Sequence, residues 1–179
     1  MRYHNKEVLN MRLAIRNKWV TLRGSSVVKD ENENDVLKVQ GKFFTFTRKK
    51  FIQDLDGNTK YIVRNKFWRL FAYKALICDP EGKELVRIRR KIFSLHDRYM
   101  VTTPGHDIEV KGNILGFDYH IIVDGKEVGH VSRKISLRDS FVLDIDDHYD
   151  YWFYVAFVIA IDNITDQRRN DASNSSSSY

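Results

Sequence analysis

Apolar positions alternate with polar ones along most of the chain. Leu37 and Val39, Tyr61 and Val63, and Val86 and Ile88 each stand two apart just after a turn. That period of two belongs to a strand with one buried face. The turns themselves are Asp56-Gly57-Asn58, Glu81-Gly82-Lys83 and Asp124-Gly125-Lys126, and Glu33 takes the place of the glycine in a further copy. Turns of this kind between β-rich runs connect hairpins. Successive copies start 24, 25 and 43 residues apart, with the weaker turn Pro104-Gly105 inside the longest interval. In every copy a lysine falls nine residues after the turn: Lys42, Lys66, Lys91 and Lys134. A repeat of this length would suit a solenoid, but the inner alternation makes each unit a hairpin. The pattern predicts twelve strands, near 12–17, 25–29, 36–40, 49–54, 59–64, 73–78, 84–89, 98–102, 107–111, 118–123, 127–133 and 140–146. An antiparallel meander of that size removes its exposed edges by closing into a barrel.

The pattern changes at Tyr151–Ile161, eleven residues broken only by tyrosine hydroxyls. The stretch reads as a helix buried on all sides; a central strand is the rival, since valine and isoleucine are frequent in it. A barrel of twelve strands is wider than the eight-stranded kind that side chains fill, and a helix about 10–12 Å across would plug it. Asp147 or Asp150 would cap the helix start. The fold class expected is therefore mainly β: a closed twelve-stranded antiparallel barrel around a buried apolar C-terminal helix. Residues 1–10 are expected to be loose, 11–166 to form the single domain with its helix at about 148–163, and the polar 167–179 to be disordered.

The 179 residues carry a net charge of +6 and an isoelectric point near 9.3, which fits an anionic partner. A single cysteine, Cys78, rules out an internal disulfide and agrees with a reducing compartment. Residues 1–10 are polar and hold no apolar signal region, and no stretch reaches the 18 or so apolar residues of a spanning helix. The localisation expected is cytoplasmic, with peripheral membrane contact. Catalytic machinery is not legible. There is no phosphate-cradling glycine loop and no G-x-S-x-G elbow. The histidines (His4, His96, His106, His120, His130, His148) show no metal-ligand spacing. Cys78 before Asp79-Pro80 reads as a buried, inert thiol. Asp144, Asp146, Asp147 and Asp150 read as a helix-entry cluster rather than a calcium loop. No cofactor, metal or enzymatic activity is expected.

Charge sorts by barrel end. In an up-and-down barrel alternate connections share an end. Those with the Asp-Gly turns hold 12 acidic and three basic residues, and the opposite six hold 17 basic and three acidic. Hairpin geometry favours aspartate, so the lysines balance it in one reading. In the other, the basic end meets phosphate-rich material, with Trp19, Phe43, Phe44, Phe67, Trp68, Phe71 and Phe93 among its charges. The candidate anion- or lipid-binding residues are Lys42, Arg48, Lys49, Lys50, Lys66, Arg69, Lys74, Arg90, Lys91, Lys134 and Arg138. An anionic membrane lipid, phosphoinositide-like or other, is favoured over nucleic acid. The competing reading is a protein-interaction or scaffold domain whose charge serves solubility.

Several elements resemble the LURP-one-related family. They are the Asp-x-x-Gly-[Asn/Lys] turns, Lys-Ile-Phe-Ser-Leu-x-Asp-x-Tyr at Lys91 to Tyr99, Ser-Arg-Lys at Ser132 to Lys134, and Ala-Ile-Asp at Ala160 to Asp162. The resemblance spans Met11 to Asp166. It implies the fold of the tubby C-terminal domain, shared with phospholipid scramblases: twelve strands around a C-terminal helix. Tubby domains bind phosphoinositides through basic residues and scramblases act on lipids, but neither property transfers by fold alone. No tubby lipid-binding motif is present to carry across. The longer apolar terminal segment and the cysteine-rich stretch of scramblases are missing from this chain.

Overall fold

The computed structural model describes residues 10–16, 25–41, 49–65, 74–90, 99–133 and 140–176. Twelve strands form in the order the alternation predicts: β1 Asn10–Arg16, β2 Ser25–Lys29, β3 Asp35–Gly41, β4 Lys50–Gln53, β5 Thr59–Asn65, β6 Lys74–Cys78, β7 Glu84–Arg90, β8 Tyr99–Thr102, β9 Ile108–Asn113, β10 Asp118–Val123, β11 Lys126–Arg133 and β12 Ser140–Asp146. One helix, α1 Tyr151–Ser176, follows them.

All twelve strands lie in one antiparallel sheet, each hydrogen-bonded to its neighbour in sequence except β8 and β9. The first and last strands close the other side through seven residue pairs, from Asn10 with Asp146 to Arg16 with Ser140. Arg12 fastens that seam from outside, its guanidinium donating to both carboxylate oxygens of Asp144 at 2.6 and 3.1 Å. The barrel is thus nearly closed, with its break at β8 and β9. The ladder is thinnest between β1 and β2, where Ala14 pairs with Lys29.

The inward positions are Leu13, Leu37, Val39, Ile52, Val63, Ile77, Ile88, Ile121 and Leu143, all buried. Every residue from Tyr154 to Thr165 is buried as well, so the helix is enclosed on all its faces and lies closest to β5 and β6. Burying a side chain such as Phe157 or Ile161 contributes about 2 kcal/mol, and no arrangement other than a plug buries the whole stretch at once. Asp150 is the N-cap: its Oδ1 accepts from the backbone N–H of Trp152 at 3.0 Å and of Phe153 at 3.3 Å. Its other oxygen accepts from the Tyr61 hydroxyl at 2.6 Å. The cap puts the helix start at Tyr151 rather than near 148. The helix also continues past 163 to Ser176, through residues expected to be disordered beyond 167. Once nucleated inside the barrel, each added residue gains a hydrogen bond at the lower cost of propagation.

Three turns share one geometry. Asp30, Asp54 and Asp79 each accept, at 2.7–2.8 Å, the backbone N–H four residues on, from Asn34, Asn58 and Lys83. Each of these three residues returns its own carbonyl to the aspartate N–H at 3.0 Å. The fourth turn position is left-handed, with φ 95° at Gly57, 92° at Gly82 and 63° at Glu33. Glu33 therefore holds a conformation that costs a side-chain residue about 1 kcal/mol.

Candidate functional site

Strand direction fixes the two ends. The Asp-Gly turns and the start of α1 share one end; Arg16, Lys50, Asn65, Lys74, Arg90, Arg133 and Ser140 mark strand termini at the other. The basic connections foreseen from the sequence thus share an end. Lys42, Arg48, Lys66, Arg69, Lys91, Lys134 and Arg138 lie outside the described residues, as do Trp19, Phe43, Phe44, Phe67, Trp68, Phe71 and Phe93. Lys49 is half-buried just before β4, and Lys74 is half-buried at the first position of β6, opposite Arg89. Arg90 ends β7 opposite Tyr99.

Lys50 departs from expectation. It shares the inward face of β4 with Ile52 and is only 6% exposed. Its cross-strand neighbour on β3 is Gly41, whose missing side chain leaves room for the lysine stem. Lys50 therefore belongs to the barrel interior and not to an exposed binding surface.

Three arginines that were not among the candidates stand beside Lys74 on the outer wall: Arg64 on β5, and Arg87 and Arg89 on β7. Their signal is period two, not position in a connection. In Glu-Leu-Val-Arg-Ile-Arg-Arg, Val86 and Ile88 face inward, which turns Arg87 and Arg89 outward.

Towards the same end, the interior carries polar groups around the helix. Tyr119, Asn65, Asp162, Asn163 and Thr165 are all buried. The Tyr99 hydroxyl lies 3.3 Å from Thr165 Oγ1, and Thr165 donates to the Ile161 carbonyl at 3.0 Å. Burial holds the Tyr119 hydroxyl well above its ordinary pKa, with Asp162 and Tyr99 adding to the shift. This hydroxyl stays protonated and is a hydrogen-bonding group, not a base.

At the opposite end charge is consumed locally. Asp146 accepts from Lys126 Nζ at 3.0 Å and from the His148 backbone N–H at 3.1 Å, and pairs with His148 Nδ1 at 2.7 Å. Those bonds, the Lys126 one foremost, hold its carboxyl down at about 2. Asp146, Asp147 and His148 bring three ligand atoms within 4.8 Å of one another, but Lys126 already occupies the site where a cation would sit. His106, His120 and His130 pair with Asp124, Glu127 and Asp118 at 2.8, 2.8 and 2.9 Å. Cys78 is fully buried, and that burial raises its thiol pKa, which suppresses the nucleophilic thiolate. None of these groups forms an activated nucleophile.

The combination of a nearly closed twelve-stranded barrel and an enclosed terminal helix defines a class, and the sequence comparisons agree with it. The LURP-one-related family model matches residues 11–162, and the chain belongs to that family. It is 24% identical over 154 residues to the uncharacterized protein YxjI of Bacillus subtilis, an alignment covering 85% of this chain and 92% of the relative. It also superposes on an Arabidopsis thaliana protein solved by X-ray crystallography, with a TM-score of 0.60 and 20% identity over 87% of this chain and 91% of that one. The structural likeness establishes the fold. No helix among the described residues is long and apolar enough to cross a membrane.

Proposed function

We infer that this protein is a non-enzymatic binding module that engages anionic lipid headgroups, or a membrane surface rich in them, through the basic end of its barrel. The observation that carries this reading is the separation of charge along the barrel axis. Carboxylates of the turn end are tied to local partners, whereas Lys49, Lys74 and Arg89 stand at the other end with no carboxylate bonded to them among the described residues. Each cation near an anionic surface adds about 1 kcal/mol of attraction within a Debye length. The attraction is collective and weakens with salt. No group found at the site activates water or a nucleophile, so binding is the function this geometry supports.

The test is co-sedimentation of the protein with liposomes of graded acidic-lipid content at several salt concentrations. Binding that rises with acidic lipid and fades with salt is the expected result. Equal binding to neutral and acidic liposomes, or none at low salt, removes the reading and leaves the scaffold alternative. That alternative has its own feature in Met100, 57% exposed on the outer face of β8, an edge strand of the sheet.

A further inference from the structure

The outer wall of β5–β7 holds an arrangement that a diffuse basic surface does not require. Arg64 and Arg87 flank Leu76 directly across β6, and Lys74, two residues from Leu76 on the same face, sits opposite Arg89. Four cations thus cover three adjacent strands. One of them, Arg87, is spoken for: it pairs with Glu84 at 2.6 Å. Arg64, Lys74 and Arg89 have no carboxylate partner among the described residues. Like charges directly opposite one another in a sheet are destabilising, and Lys74 opposite Arg89 is such a pair. The Nε–H groups of Arg64 and Arg89 are moreover buried without a hydrogen-bond acceptor, an arrangement that carries its own desolvation cost. Beneath them Leu76 points outward and is fully buried, so the cations rest on an apolar floor and not on water.

Geometry permits the three to act together. Neighbouring strands lie about 4.8 Å apart, so β5 and β7 are about 10 Å apart across β6. Arginine side chains from the outer two strands reach over the middle one, where Lys74 stands. Three cations around one point match a doubly charged tetrahedral oxyanion better than a single carboxylate, and guanidinium groups bond such oxygens in pairs. We propose that Arg64, Lys74 and Arg89 form a discrete site for a phosphoryl group on the outer wall of the barrel. It deepens the reading of the basic end and rests on it only as to the source of the phosphoryl group, a lipid headgroup or a soluble phosphate.

The experiment has two arms, each with the wild type and the Arg64→Gln/Arg89→Gln double variant. In the first, inorganic phosphate is titrated calorimetrically at constant ionic strength, with chloride as the screening control. The expected result is saturable binding to the wild type that weakens about tenfold or more in the double variant. Lys74→Gln, a milder change at the first position of its strand, weakens it less, and serves if the double variant melts abnormally. In the second arm both proteins are sedimented with phosphatidylcholine vesicles with and without a phosphoinositide. Phosphate binding without vesicle binding leaves the wall site standing, makes a soluble phosphate its source and ends the membrane reading. No phosphate binding by the wild type, or equal binding by wild type and both variants, overturns the wall site. Retained, salt-sensitive vesicle binding in that case leaves the membrane reading intact.

Discussion

The two ends of the barrel use charge in opposite ways. At the turn end Asp30, Asp54 and Asp79 each close a turn, Asp150 caps the helix, and Asp146 is held between Lys126 and His148. Bonding to the facing asparagines pulls the carboxyls of Asp30 and Asp54 below their ordinary pKa. Those charges are structural parts, already committed. At the other end Lys74 and Arg89 stand side by side with no such commitment. Charge that a fold has consumed says little about partners, whereas charge left unpaired beside like charge is a cost that something outside the chain can offset. Net charge alone does not separate the two.

The contrast is breakable in steps. The largest effect is expected from Val158→Asp, which removes what both ends share. Val158 is fully enclosed in the barrel, and an unpaired carboxylate there should cost more than about 4 kcal/mol. The variant should be insoluble or lack a cooperative melt by calorimetry; a normal melt would contradict the plug. Next comes Asp150→Ala, which deletes the N-cap and the acceptor for Tyr61. A loss of about 1–2 kcal/mol is expected, read as a lower urea midpoint with an unchanged slope. A substitution that leaves the midpoint in place would show that the turn end does not depend on its aspartates.

Acid should act on the turn end next. Asp146 has its folded pKa depressed from 3.8 to about 2. A depressed carboxylate stabilises the fold above its unfolded pKa, and that contribution is lost as pH falls through the folded value. The melting temperature should therefore drop between about pH 4 and pH 2, and Asp146→Asn should flatten that part of the profile while changing little of its shape at neutral pH. The smallest effect on stability is expected at the basic end. Lys49→Glu with Lys74→Glu should shift the unfolding free energy by no more than about 0.5 kcal/mol, yet sharply reduce sedimentation with acidic liposomes. A matched reversal at Glu31 and Glu81 should leave sedimentation intact or raise it. Equal losses from both pairs would mean that net charge is all the surface offers.

The strands were legible because alternation and turn chemistry are local. Glu33 shows how far this reaches: it occupies the left-handed position that Gly57 and Gly82 take in the sister turns, so the repeat located the turn even without its glycine. The helix was legible as a stretch too apolar for any surface. The site was read less well, for a physical reason. Whether Lys50 faces in or out depends on which residues of β3 and β4 pair, and only the register that sets it opposite Gly41 makes room inside. Arg64, Arg87 and Arg89 were passed over because sorting charge by connections ignores the strand faces, where these three gather. Alternation in Leu-Val-Arg-Ile-Arg-Arg carried the missing signal.

The pairing of β1 with β12 has a consequence for the order of folding. Arg12 and Asp144, bonded across that seam, are 132 positions apart in sequence. Bringing such distant segments together costs about 4 kcal/mol of loop-closure entropy before any contact repays it. On a ribosome β1 emerges first and waits for nearly the whole chain before its partner exists. The helix comes later still, and must lie among the strands before the wall completes itself, since a rigid rod of aromatic and branched side chains does not enter a finished cylinder. Ring closure and helix capture are therefore one late event, and the hairpins of β2–β8 are what the nascent chain has to live on until then. Slow refolding with early strand formation and late burial of Trp152 fluorescence is the kinetic signature of such a chain.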